Sequence, residues 1–472
     1  MCGIVLVSGH KEASRVACAA MRNIQHRGTE YCGMAAWTPR GIVCDKGPGL
    51  VKERYPDEHR DRPFQARRAI GHLRYPTAGV SCAQPFTVDN IALCSNGDIP
   101  LMDGLHADMM QNGVAKACTG NDGELMTHML AFADRKFHHD PVAAVRYVME
   151  NTVGAFSTVA LINGVGAAFR DPWGFRPMVF GRTKEGAYVV ASETVALRNV
   201  GAEDIQVVQP GELLLFKGQG RELTRHQLIA LKRWCFCFFE IIYFAYPSTK
   251  IFGKAVATVR REIGARLAME EPEALKNGYV VMAVPDSASI YADGYAAESG
   301  LRREQYFIRK HHKGRTFIMS GDRTAAVLNK FDFFEDDLYG ASVVLLDDSI
   351  VRGTTMMALI QVLKERYGVR EVHVRVGSPP IISTCHMGID LKTGEELLAW
   401  RAWQEVRGEL PEGTKPTDPK AIEVITEWMR KEINADSLRF ISHDGMQKCL
   451  PTKGYCQGCI TGEYPIPVPM VS

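Results

Sequence analysis

Cys2 and Gly3 open the chain, and residue 2 is small enough to permit removal of Met1. That would put a thiol and a free α-amine on one residue. Such an amine titrates at about 7.7–8.0 and can act as a general base, and a thiolate is a strong nucleophile. Three short, polar, glycine-bearing stretches follow, each beside an apolar strand: His26-Arg27-Gly28, residues 71–79 (GHLRYPTAG) and Ser95-Asn96-Gly97-Asp98. An Asn amide beside a Gly backbone N–H, as at Asn96 and Gly97, is the donor pair an oxyanion hole needs. An arginine such as Arg74 can pair bidentately with a carboxylate, and an aspartate such as Asp122 can hold an ammonium group. Taken singly, each stretch also reads as a β-turn, which favours the same residues.

A second centre of chemistry is residues 343–355, VVLLDDSIVRGTT. A buried strand delivers Asp347 and Asp348 at its C-terminal end. Ser349, Arg352 and Gly353 make the loop, and a helix begins near Thr354 and Thr355. Backbone N–H groups and the dipole at a helix start bind phosphate. The threonines can donate hydroxyl hydrogen bonds, and the two carboxylates suit ribose hydroxyls or a divalent cation. A strand-to-helix turn capped by aspartate has the same outline. No G-x-x-x-x-G-K-[ST] surrounds the loop, so it is not a P-loop.

A third is Cys456-Gln457-Gly458-Cys459. A lone CxxC is ambiguous between redox, zinc, iron–sulfur and chance. The chain has 13 cysteines, and its N-terminal apolar run is too short for a secretory leader. A cytoplasmic, reducing setting is the simplest expectation, in which most cysteines, including Cys18, Cys32 and Cys118, are core thiols. A net charge of +2 gives no footprint for nucleic acid. No apolar stretch reaches the roughly 20 residues of a membrane span.

The elements that must position these groups fall into two patterns. At 472 residues the chain should hold two to three domains. Residues 1–230 read as many short strands, among them 4–7, 92–94, 156–161 and 187–191. Helices at 13–24 and 124–132 interrupt them, and the whole suggests a layered α+β domain. In residues 231–472 a helix at 256–269 leads to strands at 279–284, 342–346 and 371–376, with a helix at 356–367 between the last two. That alternation implies an α/β domain with a parallel sheet. Residues 407–420 read as a surface loop, and the prolines of the tail exclude regular helix.

The ordered series MCGI, HRG, GHLRYPTAG, SNGD, RDPWGFRP (170–177) and ASE (191–193) resembles the N-terminal-nucleophile class of glutamine amidotransferases. The resemblance implies a four-layer αββα fold, Cys2 as nucleophile and Asn96 and Gly97 as oxyanion hole. Arg74 and Asp122 would grip the α-carboxylate and α-amine of glutamine. Residues 343–355 resemble the phosphoribosyl-pyrophosphate (PRPP) signature of type I phosphoribosyltransferases, and residues 284–287 (VPDS) also match, which would let Ser287 help organise the metal with Asp347 and Asp348. Cys237 in CFFEIIYFAYP and Cys385 in SPPIISTCHMGID, with GCITGEYP at the tail, resemble the iron–sulfur branch of the glutamine PRPP amidotransferases. In that branch Cys237, Cys385, Cys456 and Cys459 would bind a [4Fe–4S] cluster; four thiolates also satisfy zinc. Cys235 and Cys449 lie near in sequence without belonging to the set.

Together the halves resemble enzymes that make 5-phosphoribosylamine from glutamine and PRPP, the first step of purine nucleotide synthesis. The resemblance implies Mg²⁺, a homo-oligomer and nucleotide feedback inhibitors. Three stretches depart from the family: residues 246–249 (YPST), residues 309–313 (RKHHK) and residues 319–334. They are expected around the pyrophosphate and its closing loop. Around Gly314, residues 309–315 carry six basic side chains, which suits either a lid over an anionic ligand or a solvated loop. Two other classes stay open: an amidotransferase serving a different phosphoribosyl-type acceptor, and a non-catalytic nucleotide-binding regulator.

Overall fold

The computed structural model describes residues 2–56, 65–75, 83–115, 117, 119–271, 275, 278–310 and 323–468. The first half supplies strands β1 (Gly3–Ser8), β2 (Tyr31–Thr38), β3 (Gly41–Pro48), β4 (Arg68–Arg74), β5 (Phe86–Val88), β6 (Ile91–Asp98) and β7 (Ala155–Ile162). It continues with β8 (Val165–Arg170), β9 (Val179–Thr183), β10 (Tyr188–Ala191), β11 (Ala202–Val207), β12 (Glu212–Lys217) and β13 (Glu222–Gln227). Two antiparallel sheets result, in the orders β11-β9-β10-β1-β4-β2-β3 and β13-β12-β8-β7-β6-β5.

Strand alternation explains the layers. Successive side chains of β1 point to opposite faces. Ile4 and Leu6 join Ala92, Cys94, Val159, Leu161 and Leu214 in a core between the two sheets. Val5 and Val7 instead meet Ala17, Met21 and Ile24 of the helix Ala13–Asn23 and its flank. On the far side, Leu93, Phe156 and Leu213 pack with Leu125, Met129 and Val148 from the helices Asp122–Lys136 and Pro141–Asn151. This is the expected αββα sandwich. β1 is apolar on both faces because it is covered on both.

In the second half, β14 (Phe236–Cys237) precedes a five-residue π-helical turn, Glu240–Phe244, and the hairpin β15 (Lys250–Ile251) and β16 (Lys254–Ala255). Then come β17 (Val280–Ala283), β18 (Arg302–Arg303), β19 (Phe307–Arg309), β20 (Phe331–Phe333), β21 (Ser342–Asp347), β22 (Glu371–Val376), β23 (Ser437–Phe440) and β24 (Tyr455–Cys456). The sheet β18-β17-β21-β22-β23 is parallel throughout. Its centre, β21, is apolar up to Asp347, so the carboxylates emerge where the strand leaves the core. Residues 411–418 are loop, as expected, but Arg407–Glu409 closes a 3₁₀ turn and a helix begins at Pro419. The halves share a small core of Ala155, Phe175, Cys235, Met387 and Ile466. Among the described residues no helix is long and apolar enough to cross a membrane.

Leu6, fully buried between the sheets, sets the spacing that brings β1 and β6 to a common cleft. Leu6→Ala should cost about 2–5 kcal/mol in urea unfolding, whereas Leu101→Ala, at a side chain that is 47% exposed, should stay within about 0.5 kcal/mol.

Candidate active sites

Cys2 and Asn96 meet although 94 residues separate them: the Cys2 backbone nitrogen donates to Asn96 Oδ1 at 3.1 Å. The amide nitrogen of Asn96 is buried with no partner among the described residues, a donor held in readiness inside the cleft. Gly97 follows it opposite Phe156 of β7. A Cβ on Gly97 would fall 1.7 Å from the Ala155 carbonyl, so only glycine lets the strands close here. Asp171 organises the RDPWGFRP turn. Its Oδ1 accepts from Trp173 and Gly174 and its Oδ2 from Phe156, the residue facing Gly97.

Burial pushes the Cys2 thiol up, but the neighbouring His72, the amino terminus and the Tyr75 backbone bring it down to about 6. His72 carried no role in the sequence reading, where it was one letter of a strand-and-turn motif. It is 1% exposed, and neither ring nitrogen meets a partner of ordinary hydrogen-bond geometry. Charge is therefore the firmer part of its hold on Cys2. Arg74 ends β4 and is buried at the same cleft. Asp122 starts its helix, where Asn121 caps Gly123 and the Gly123 N–H also meets Asp122. Burial and then Asp98 push the Asp122 carboxyl up to about 7, a setting that an incoming ammonium group would reverse.

Arg27 lies behind Cys2. Its Nε donates to the Cys2 carbonyl at 3.0 Å, its Nη1 to Glu193 at 2.7 Å, and both terminal nitrogens to Glu240 at 2.9 Å. All three side chains are at most 1% exposed. Glu193 also accepts from the Tyr246 backbone and the Thr249 hydroxyl. The departing residues 246–249 are thus anchored at the junction of the halves. HRG and ASE were read as family letters; their side chains prove to be the inter-half joint.

At the other site Asp347 ends β21 and accepts from the Asp348 N–H, and Ser349 donates to Asp348 at 2.7 Å. Gly353 takes a left-handed φ of +75° before the helix Thr354–Gln361. Arg352, Thr354 and Thr355 are exposed at its start. Arg352 is held by Glu396 at 2.7 Å. Burial and then each other's charge raise Asp347; burial raises Asp348, opposed by Ser287, Ser349 and Arg260. Tyr243, from the π-helical turn, feels Tyr75 on one side and Asp348, Arg309 and Asp347 on the other. Arg309 pairs with Asp286 at 3.4 Å and Lys310 with Asp332 at 3.5 Å. The rest of the expected basic lid, His311, His312, Lys313 and Arg315, lies outside the described residues.

The four cysteines converge. Cys237 pairs with Cys456 across β14 and β24, and the Cys459 carbonyl accepts from Ile382 and Ser383, just before Cys385. Burial raises each thiol, and neighbouring sulfur charges raise Cys237, Cys456 and Cys459 further. Arg176 stands against Cys237, Cys385 and Glu240. Cys449 feels Glu262 and Arg266 rather than other thiols, and Cys235 accepts from Arg233 at 3.4 Å. Among the described residues no group of three or more His, Cys, Asp or Glu is disposed around a single metal position. That holds for the thiols and for Asp347 with Asp348.

An αββα sandwich with an N-terminal cysteine in its cleft, joined to a parallel sheet bearing a PRPP-type loop, defines a glutamine amidotransferase fused to a phosphoribosyltransferase. No family model matches the chain. Amidophosphoribosyltransferase 1 of Arabidopsis thaliana is 37% identical over 98% of this chain and 78% of its own length. The Archaeoglobus fulgidus amidophosphoribosyltransferase is 35% identical over 99% of both chains. Glutamine PRPP amidotransferase from B. subtilis, solved with ADP and GMP, superposes with a TM-score of 0.84 at 32% identity, covering 98% of this chain and 97% of its own. The chain belongs to the amidophosphoribosyltransferase family.

Arg27→Met should test the joint. It leaves two buried carboxylates without their guanidinium, at about 3–5 kcal/mol. In the wild type Arg27 and His26 hold Glu193, against burial, well below the usual carboxylate range. That contribution is full above the unfolded pKa of about 4.3 and is lost as pH falls toward the folded value. The gap between wild type and variant in urea midpoint should therefore be wide at pH 7, still largely present at pH 4, and narrow only as pH falls toward about 2.

Proposed function

We propose that the chain carries out the family reaction with the residues named above: glutamine, PRPP and water give 5-phosphoribosylamine, glutamate and pyrophosphate. One observation carries the reading. A single short segment, Glu240–Phe244, links the two sites: Glu240 holds the Arg27 that holds the Cys2 carbonyl, and Tyr243 lies within electrostatic reach of Asp347 and Asp348.

In this reading Cys2 Sγ attacks the glutamine side-chain carbonyl. The oxyanion is received by the Asn96 amide and the Gly97 N–H. The C–N bond breaks, ammonia leaves with a proton from the α-amine, and water later cleaves the thioester to glutamate. Arg74 and Asp122 hold the α-carboxylate and α-amine of glutamine. Ammonia passes by Tyr75 and Tyr243 to C1 of PRPP and displaces pyrophosphate. Ser349, Arg352, Gly353, Thr354 and Thr355 receive the 5-phosphate, and Asp347 and Asp348 the ribose hydroxyls. Mg²⁺ would balance the pyrophosphate charge, with Asp347, Asp348 and Ser287 at hand to organise it. The working division is residues 1–230 for glutamine and 231–472 for PRPP. A homo-oligomer in the cytoplasm, inhibited by purine nucleotides, completes the proposal; the solved B. subtilis relative carries ADP and GMP.

Cys237, Cys385, Cys456 and Cys459 fit a [4Fe–4S] cluster better than one zinc ion. A cluster interposes iron and sulfide between its thiolates, so its ligands need not close on one point. The buried Arg176 beside Cys237 and Cys385 suits a negatively charged cluster. When bound, the group would supply folding free energy.

Cys2→Ala should abolish glutamine-dependent synthesis and leave synthesis from free ammonia, assayed as phosphoribosylamine with each substrate omitted in turn. Loss of both activities in a folded protein would remove the nucleophile assignment. Asp348→Ala should weaken PRPP use and leave basal glutaminase. Anaerobically purified protein should contain about four iron and four sulfide per chain, and Cys459→Ser should lose them; stoichiometric zinc in active, colourless protein would replace the cluster.

A further inference from the structure

The register of β1 on β4 decides which side chains share the cleft. Ile4 lies opposite His72 and Gly3 opposite Leu73. Ile4 and Ile70 face the inter-sheet core. By the two-residue period of a strand, Cys2, His72 and Arg74 project to that same side. On the facing sheet Ala92 and Cys94 do so, and Asn96 continues their row. Cys2 and His72 are then diagonal neighbours across an antiparallel pair, a spacing that longer side chains bridge.

His72 has no evident structural reason to be an imidazole. It is 1% exposed, and apart from the neighbouring Cys2 thiol neither Nδ1 nor Nε2 meets a partner among the described residues. A buried polar ring usually finds partners, because leaving it without them costs on the order of 1–3 kcal/mol. The groups that face the nucleophile are the amino terminus, Cys94 of β6, Arg74 of β4 and Asp122 of the helix start. Cys94 is an inert thiol raised by burial. Asp122 disfavours a thiolate, and Arg74 is reserved for a carboxylate in the reading given above. His72 is the one imidazole among the described strand residues of the cleft; Asp98, at the end of β6, is a buried carboxyl that stands against Asp122 and the amino terminus.

We propose that His72 sets the resting state of the nucleophile: its ring nitrogen takes the thiol proton of Cys2, so that a thiolate faces an imidazolium before glutamine arrives. One S–H bond breaks and one N–H bond forms, with no other reactant. The α-amine is left free to give a proton to departing ammonia and to accept one from the attacking water. The proposal rests on Cys2 being the glutaminase nucleophile. His72 acts through Cys2 and is a positioning and tuning residue.

The test is the pH dependence of Cys2 alkylation by iodoacetamide in the full-length protein, read as the modified N-terminal peptide by mass spectrometry. Wild type should reach half its maximal rate near pH 6. In His72→Asn that midpoint should rise by about two units, toward an ordinary thiol, and the rate at pH 6.5 should fall by roughly 25-fold. Glutamine turnover at pH 6.5 should fall in parallel, mainly in kcat, and recover as pH is raised. Ammonia-dependent synthesis by the same variant reports that it is folded. Superimposable alkylation profiles of wild type and His72→Asn would overturn the proposal. A second measurement covers a variant that fails to fold: chain produced with Met1 retained has no free amine on Cys2. If His72 sets the thiolate, its midpoint stays near 6; a midpoint in the ordinary thiol range assigns the effect to the amine and overturns the proposal. Wild-type protein fully alkylated at Cys2 yet still hydrolysing glutamine would instead sink the nucleophile reading.

Discussion

One buried ionic joint constrains everything else. Arg27, Glu193 and Glu240 come from three distant parts of the chain, and none can be buried without the others. An isolated charge in the interior costs several kcal/mol, which a bidentate guanidinium–carboxylate geometry can offset. With Glu193 and Glu240 sharing Arg27, and His26 and Arg176 nearby, the group is close to neutral. Because Glu240 lies in the second half and Arg27 in the first, the halves must dock for the charges to be satisfied. The guanidinium also holds the Cys2 carbonyl, so docking and the placement of Cys2 are one event.

The segment that carries Glu240 is stiffened from the other side. A π-helical turn leaves carbonyls poorly satisfied, and such turns recur at functional sites. Here Arg260 donates to the carbonyls of Ile241, Tyr243 and Ala245, and the Tyr291 hydroxyl to that of Ile242. Arg260 lies in the helix Val256–Met269 and also lowers Asp348 of the PRPP-type loop. The turn is therefore clamped between a residue that feels one site and a residue that builds the other. Phe244 meets the Tyr75 ring edge-on at 5.7 Å, next in chain to Arg74.

Much of this was readable in the sequence, for uneven reasons. Strand alternation at residues 4–7 and 156–161, and the helix at 256–269, are local patterns, and they appear where expected. β21 with its two carboxylates was readable because strand, acidic end, small loop and helix follow one another without a gap. Asn96 beside Cys2 was readable only through resemblance, since no local rule joins residues 94 apart. The pairing of Arg27 with Glu240, 213 apart, was not readable at all: each is an ordinary charged residue until both are buried. His72 was missed for a related reason. In β4 the alternation that assigns faces is masked, because every residue of Arg68–Arg74 is buried. The helix at Pro419 was lost in a stretch whose charge and proline read as loop.

The two sites share an electrostatic pattern opposite to that of the joint. At the joint, opposite charges are matched and the Glu193 carboxyl is held low. At the sites, like charges are gathered: Asp98 with Asp122 on one side, Asp347 with Asp348 on the other, all raised by burial. A protein can hold such pairs only where the surrounding fold over-determines them, and perturbed groups of this kind concentrate where ligands bind. An ammonium group beside Asp122, or ribose hydroxyls and a cation beside Asp347, would return these carboxyls toward their ordinary range. Ligands of that kind would then supply part of the electrostatics that the fold leaves unmatched. The favourable joint holds the Cys2 carbonyl through Arg27, and its Glu240 lies in the same π-helical turn as Tyr243. The cleft of Cys2 and the turn beside the Asp347–Asp348 loop are therefore tied to one buried group of paired charges.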